Sequence, residues 1–299
     1  MTDDLELASL ISLLRTSQVR WGDIPEMVEE AGSASCILEA RFTNTQTSLF
    51  DDTSTESDIE RLTAEALRDI ETWRAEGMNV VSVLDDDYPV NLRSVYDRPP
   101  ILFIRGTFMA EDSRAVAVVG SRSATPAALT DAANAATGLI DAGYTVLSGL
   151  ATGIDGAAHR AAIEAGGRTV AVIGTGLRRT YPKENATLQQ EIADEFAVIS
   201  QFWPDQPPGK HTFPMRNAVM SGLAKATLVV EASERSGARI QARKALEHGR
   251  PVFFMPRLLE TRWARDYAER PGTMVVETIA EVVERLDKLT AAAEHFAAA

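Results

Sequence analysis

The chain has 299 residues, 45% of them apolar, with 43 acidic and 30 basic side chains and a formal net charge of −13; this excludes global disorder and leaves ample apolar surface for a buried core. Residues 1–100 carry 21 Asp and Glu against 8 Arg and no Lys, whereas residues 101–299 carry 22 of each sign, so the acidity excludes a generic basic surface for nucleic acid but not a local one. A single cysteine, Cys36, excludes an internal disulfide and, with four His, argues against a structural zinc cluster.

The N-terminal MTDDLELASLISLLR is acidic where a secretory signal is basic. No run approaches the ~18 uncharged apolar residues of a membrane span, so a soluble cytoplasmic protein is expected. Leu5, Leu7, Leu10, Ile11, Leu13 and Leu14 recur with helical spacing and predict a helix over 3–15. Short helices follow over 21–30 and 35–41. FTNTQTSLFDDTSTES, residues 42–57, is rich in Thr, Ser and Asp and reads as a loop or flexible linker. Helical spacing returns over 59–76, with Gly77 placed to stop it. Residues 1–77 are thus expected to form a small acidic helical domain, and residues 78–299 a second domain.

A strand is predicted over 78–84 and another at ILFIRG, 101–106. AVAVVG, YTVLSG, TVAVIG, FAVIS, ATLVVEA and PVFFM are short apolar runs, separated by helical stretches at 126–141, from 154, and near 185–195, 215–224 and 237–248. That alternation predicts βαβ units and an α/β fold whose parallel sheet is buried on both faces. GTMVV and an amphipathic helix from 278 to about 289 close the domain.

Four of these strands end in small or turn-forming residues: AVVGSRS (117–123), VLSGLATGIDGAAH (146–159), VIGTGL (172–177) and VVEASERSG (229–237). In an open α/β sheet, ligands bind beyond the carboxyl ends of the strands, where helix N-termini and free amides favour anions. A phosphate or nucleotide-like ligand is therefore expected there, although any single turn could be plain loop geometry. Ser121 and Arg122 stand at the first turn, Ser148, Gly149 and Gly153 at the second. Arg122 offers a planar fork for a phosphate. The chain lacks the Gly-Lys-Ser/Thr of a nucleotide-hydrolysing loop, the GxGxxG of a dinucleotide fold and the GxSxG of a serine hydrolase.

Asp155 and His159 lie four residues apart on one helical face and are expected to hydrogen-bond to each other. Glu231 could serve a glycosidic hydrolase only with a second carboxylate set apart from it. No catalytic residue, metal or cofactor is expected. Arg178, Arg179, Lys183, Lys210, His211 and Arg216 are interleaved with Tyr181, Phe202, Trp203 and Phe213. That mixture suits a single nucleic-acid strand, or else a solvated face over core aromatics. The stretch 240–270, with Trp263 and Tyr267, is the candidate surface for self-association unless those rings belong to the core.

In order along the chain, DDDYPVNLRSVYDRPPILFIRG, VVGSRSAT, SGLATGIDGAAHRAAIEAGGRTVAVIGTGL, YPKEN, FPMRNAVMSGLAKATLVVEASERSG and ALEHGRPVFFMP resemble the DNA processing protein A (DprA/Smf) family, over residues from about 84 to 256. The resemblance implies an extended Rossmann-like, mostly parallel sheet with helices on both faces, preceded by a small helical (SAM-like) N-terminal domain. It implies single-stranded DNA binding that assists DNA uptake and recombination in natural transformation, loading of a RecA-type recombinase on that DNA, and a homodimer without enzymatic activity. Carried over by motif, the phosphate and DNA contacts would come from Gly120, Ser121, Arg122, Ser148, Gly149, Gly153, Asp155, Gly174, Lys183, Asn185, Arg216, Asn217, Ser236 and Gly237. Arg122 and Lys183 stand foremost among them. The chain departs from the family pattern at Ser200–Gln201, at Ala238, Ile240 and Gln241, and after Pro256. These departures mark a divergent member, and one without the C-terminal winged-helix domain of many members is expected. The alternative is a nucleotide-binding or nucleotide-hydrolysing, glycohydrolase-like protein or nucleotide sensor on the same kind of sheet. The Pro-Gly-Gly-x-Gly-Thr signature of those hydrolases is absent.

Overall fold

In the computed structural model, which describes residues 3–16, 20–45 and 52–297, the chain divides into two units, Met1–Tyr88 with Tyr96–Phe103, and Pro89–Val95 with Ile104–Ala299. In the first unit, helix α1 (Asp4–Thr16) buries Leu7, Leu10, Ile11, Leu13 and Leu14 as their spacing predicts, whereas Leu5, in its first turn, is exposed. Ser9 and Ser12 share that buried face and donate to the carbonyls of Leu5 and Ala8, both at 2.8 Å, so each hydroxyl is satisfied within the helix. Helix α2 (Ile24–Ala31) follows a 3-10 turn, carries Pro25 in its first turn and ends at Gly32, φ +69°. Helix α3 (Ala34–Thr45) starts where Glu6 accepts the Ala34 N–H at 2.7 Å and the hydroxyls of Ser33 and Ser35.

Helix α4 (Asp52–Ala75) buries Ala66, Ile70 and Trp73 and is followed by Gly77 at φ +75°. The expected loop over 42–57 is therefore helical at both ends. Ser, Thr and Asp mark a helix start as readily as a loop. Residues 46–51 of that stretch lie outside the described residues. Strand β1 (Met78–Ser82) and the first half of β2 (Ile101–Gly106) complete the unit, so the boundary expected at 77 falls between α4 and β1.

The second unit holds the short helix α5 (Val90–Arg93), then β3 (Ala115–Val119), α6 (Pro126–Asp141), β4 (Thr145–Ser148), α7 (Ile154–Glu164), β5 (Thr169–Val172), α8 (Ala186–Glu195) and β6 (Ala197–Ser200). It continues with α9 (Thr212–Leu223), β7 (Ala226–Val229), α10 (Gly237–Glu247), β8 (Val252–Phe254), α11 (Arg262–Ala268), β9 (Thr273–Val275) and α12 (Ile279–Ala297). Each apolar run read as a strand forms one, and β3 to β8 are buried along their whole lengths. Strands β3 to β9 lie in the order β6-β5-β4-β3-β7-β8-β9, every pair parallel.

Helices α6, α7 and α12 pack on one face of this sheet, α9 and α10 on the other. Helix α6 runs over the predicted residues because Thr125 caps it, its Oγ1 accepting the Ala128 N–H at 3.2 Å, and Pro126 opens it. It turns Ala128, Ala132, Ala135, Ala136 and Leu139 toward Val116, Val118, Val146, Leu228 and Phe253. Small side chains let the helix lie close to the strands. The order of strands reverses at β3, which places a crevice beyond the carboxyl ends of β3 and β7.

Trp263 and Tyr267 are not a surface for self-association. They are 2% and 4% exposed, with rings 5.4 Å apart edge to face and Trp263 against Phe254 at 5.5 Å. Phe202 is likewise buried. Among the described residues, no helix is long and apolar enough to cross a membrane, and no group of three or more His, Cys, Asp or Glu is arranged to hold a metal ion.

Candidate functional site

The crevice contains a cavity of about 480 Å³. The turn after β3 lends Gly120, Ser121, Arg122 and Ser123, and α7 lends Asp155. Helix α9 lends Phe213, Arg216 and Asn217, and the β7–α10 turn lends Ser233, Arg235, Ser236 and Gly237. Ser236 caps the eleven-residue α10, its Oγ accepting the Ala238 N–H at 3.2 Å. The wall of the cavity thus includes a helix N-terminus, where free N–H groups and the helix dipole favour an anion.

Arg216 forms the floor and is only 6% exposed. Its Nη1 donates to the Val172 carbonyl at 3.3 Å and lies 4.0 Å from Asp155 Oδ2. A Cβ on Gly149 would sit 1.3 Å from that same nitrogen, so the missing side chain is what admits the guanidinium. Asp155 Oδ2 accepts the N–H groups of Gly149 and Ala151 at 3.2 and 3.4 Å. Burial pushes the Asp155 carboxyl above its ordinary range, while Arg216 and those amides pull it down. Burial also lowers Arg216 and Asp155 raises it; a guanidinium starts so high that it stays protonated.

At the rim, Arg122 is exposed and its guanidinium lies 5.2 Å from the Phe213 ring centre. A Cβ on Gly174 would come within 2.8 Å of that ring, so Gly174 gives Phe213 its seat. Tyr181 follows, 5.6 Å from Phe213 and 41% exposed.

Of the predicted residues, Gly120, Ser121, Arg122, Asp155, Arg216, Asn217, Ser236 and Gly237 line this one cavity. Ser148, Gly149, Gly153, Gly174 and Asn185 stand behind it. Ser148 Oγ donates to the Val118 carbonyl at 2.6 Å across β4 and β3. Asn185 Nδ2 donates to the carbonyls of Leu150 and Ala151, both at 3.0 Å, and so pins the loop that Asp155 holds by its amides. Leu150 sits in that loop at φ +57°, a strained value for a residue with a side chain. Lys183 is exposed in the turn after the cis Tyr181–Pro182 bond and does not line the cavity. Arg178 is drawn to Asp205 at 2.6 Å, and Arg179 Nε donates to the Asp205 carbonyl at 3.2 Å.

Asp155 and His159 share a helical face but do not bond to each other. The carboxylate reaches back to the amides of 149 and 151, whereas His159 Nδ1 meets Thr169 Oγ1 at 2.7 Å on β5. Burial, followed by the charges of Arg160 and Arg216, pushes the His159 pKa down to about 3. The unfolded chain takes up this proton below about 6.5 and the fold does not, so acid favours unfolding. Stability supplied by neutral His159 is present above about pH 6.5 and falls by about 1.4 kcal/mol per pH unit as the pH drops toward 3. Urea titrations at pH 7 and pH 5 check this. The wild type should lose about 2 kcal/mol more than His159→Gln across that interval.

Arg235, Ser233 and Gln241 also line the cavity and are absent from the predicted set. The Arg-Ser pair beside the α10 cap mirrors the Ser-Arg pair after β3, and that symmetry is the signal that finds Arg235. Ala238, Ile240 and Gln241, where the chain departs from its expected motif, form the α10 side of the same cavity.

The model of the family described as DNA recombination-mediator protein A matches residues 79–294. DNA processing protein DprA of Bacillus subtilis is 36% identical over 201 residues, 67% of this chain and 68% of that protein. The Streptococcus pneumoniae DprA is 43% identical over 175 residues, covering 58% of this chain and 62% of that protein, so the match spans about two thirds of these curated relatives. The solved structure of a DprA from Streptococcus pneumoniae superposes with a TM-score of 0.70 at 30% identity, covering 94% of this chain and 97% of that one. A Helicobacter pylori DprA, described as having a unique single-stranded DNA binding mode, gives a TM-score of 0.63 at 26% identity over 71% of this chain and 96% of its own. With a Rossmann-like parallel sheet, a switch-point cavity and a family match over most of its length, the chain belongs to the DNA recombination-mediator protein A family.

Proposed function

We propose that the cavity grips the phosphate backbone of single-stranded DNA and that the protein assists DNA uptake and recombination as a binding protein, not an enzyme. The observation that carries this reading is the meeting of Arg122, buried Arg216 and the α10 N-terminus in one cavity, with Phe213 beneath Arg122. Cations and helix amides suit phosphates, and rings suit unpaired bases. The single-stranded DNA binding described for the Helicobacter pylori relative supports it. The −13 net charge does not oppose it, since residues 101–275 hold 20 Arg and Lys against 17 Asp and Glu.

Binding is favoured over bond cleavage by what the carboxylates already do. Both oxygens of Glu231 accept bonds from Thr125, and Asp155 Oδ2 accepts two loop amides. On the strength of family membership we extend the reading to a cytoplasmic homodimer that delivers single-stranded DNA to a RecA-type recombinase. A thymidine oligomer should bind in preference to a duplex of equal length. Arg122→Ala should weaken the oligomer about tenfold or more, with little change in base preference. Equal affinity of Arg122→Ala and wild type would overturn this reading.

A further inference from the structure

Glu231 follows β7 by two residues, and its contacts converge on the turn that carries Arg122. Its backbone carbonyl accepts the Ser121 N–H at 2.7 Å. Its carboxylate accepts the Thr125 N–H at 3.1 Å through Oε1 and the Thr125 hydroxyl at 2.6 Å through Oε2. One residue therefore holds both ends of the turn 121–125, with Arg122 between them. The Thr125 hydroxyl also caps α6, and Arg257 Nη1 donates to it at 3.4 Å while Nη2 pairs with Asp131 at 3.2 Å. The turn is thus tied to β7, to α6 and to the segment after β8.

We propose that Glu231 is a positioning residue: a latch that fixes the Ser121–Thr125 turn and holds Arg122 where it can meet a phosphate. The inference rests on the DNA-binding reading of the same cavity and adds a role for a carboxylate at its edge. An acidic side chain near an anion site repels the anion, so removing its charge should tighten binding if charge were all it contributed. A latch predicts the opposite, because a loosened Arg122 surrenders its contact.

The test measures binding of a thymidine oligomer across a salt series for wild type, Glu231→Gln, Thr125→Val, Arg122→Ala and the double variant Arg122→Ala/Glu231→Gln. Amide hydrogen exchange over 121–125 is followed in each protein. Glu231→Gln and Thr125→Val should each bind about tenfold more weakly. Their slopes of log affinity against log salt should flatten as that of Arg122→Ala does, by about one phosphate contact. Glu231→Gln should add nothing once Arg122 is gone, and 121–125 should exchange faster in both latch variants. Unchanged or tighter binding by Glu231→Gln, with Arg122→Ala still defective, overturns the latch alone. Loss of the DNA-binding reading shows differently: wild type fails to bind the oligomer while exchange over 121–125 still rises in Glu231→Gln. Slow exchange retained in both latch variants overturns the latch whatever the oligomer does.

Discussion

Gly153→Ala is expected to destabilise the protein by about 2–6 kcal/mol and to abolish most of the DNA affinity proposed for the cavity. Gly153 sits at φ +75°, ψ −128°, a region that residues with side chains avoid. A Cβ there would lie 2.2 Å from the Ser121 carbonyl oxygen and 2.8 Å from that of Arg122. Both obstacles are backbone, so no rotamer change relieves them. The loop must instead move, and the Ile154 N–H to Ser121 carbonyl bond at 3.2 Å ties that movement to the turn bearing Arg122. Gly166→Ala is the control. Gly166 has φ +69° but nothing within 4 Å of an added Cβ, so it should cost only backbone strain, about 1–2 kcal/mol. Denaturant titration and oligomer binding of the two variants check the difference. A cost for Gly153→Ala no larger than that for Gly166→Ala would contradict the packing described.

The second large effect lies away from the cavity. Asp112 is 0% exposed and accepts Arg168 Nε at 2.6 Å, Arg168 Nη2 at 2.8 Å, Thr145 Oγ1 at 3.1 Å and the Met109 N–H at 2.8 Å. Arg168 continues to the Thr107 carbonyl, so one pair joins the lead-in to β3 with the starts of β4 and β5. Asp112→Ala should cost about 3–5 kcal/mol, because it strands a guanidinium and a hydroxyl without their acceptor. Replacing both partners, as Asp112→Leu with Arg168→Met, should restore at least half of the loss. A double variant as unstable as Asp112→Ala would show that shape, not charge pairing, decides this site.

The strands and the larger helices of the second unit were legible because their signals are local. Runs such as AVAVV have no polar face to show, which marks a sheet covered on both sides, and Thr125-Pro126 announces α6 directly. Helices α5 and α11, of four and seven residues, are too short for their periodicity to register, and α11 carries Trp263 and Tyr267 inward. The turns at the strand ends were legible for the same local reason.

What spacing could not show was how side chains meet across elements. Asp155 and His159 share a face yet choose different partners, one in the loop and one on β5. Arg216 reads as an exposed cation on a helix; it is buried because Gly149, far away in the chain, leaves room for it. Lys183, placed among the phosphate contacts by its motif, stays outside the cavity lining.

Phosphate contacts in one cavity of the second unit are proposed to hold single-stranded DNA, and titration of a thymidine oligomer with wild type and Arg122→Ala over a range of salt decides it. Wild-type affinity should fall steeply with salt, with a slope of roughly −0.7 per phosphate contact, and the slope should be shallower by about that amount in Arg122→Ala. Binding that ignores salt, or identical slopes for the two proteins, would contradict it.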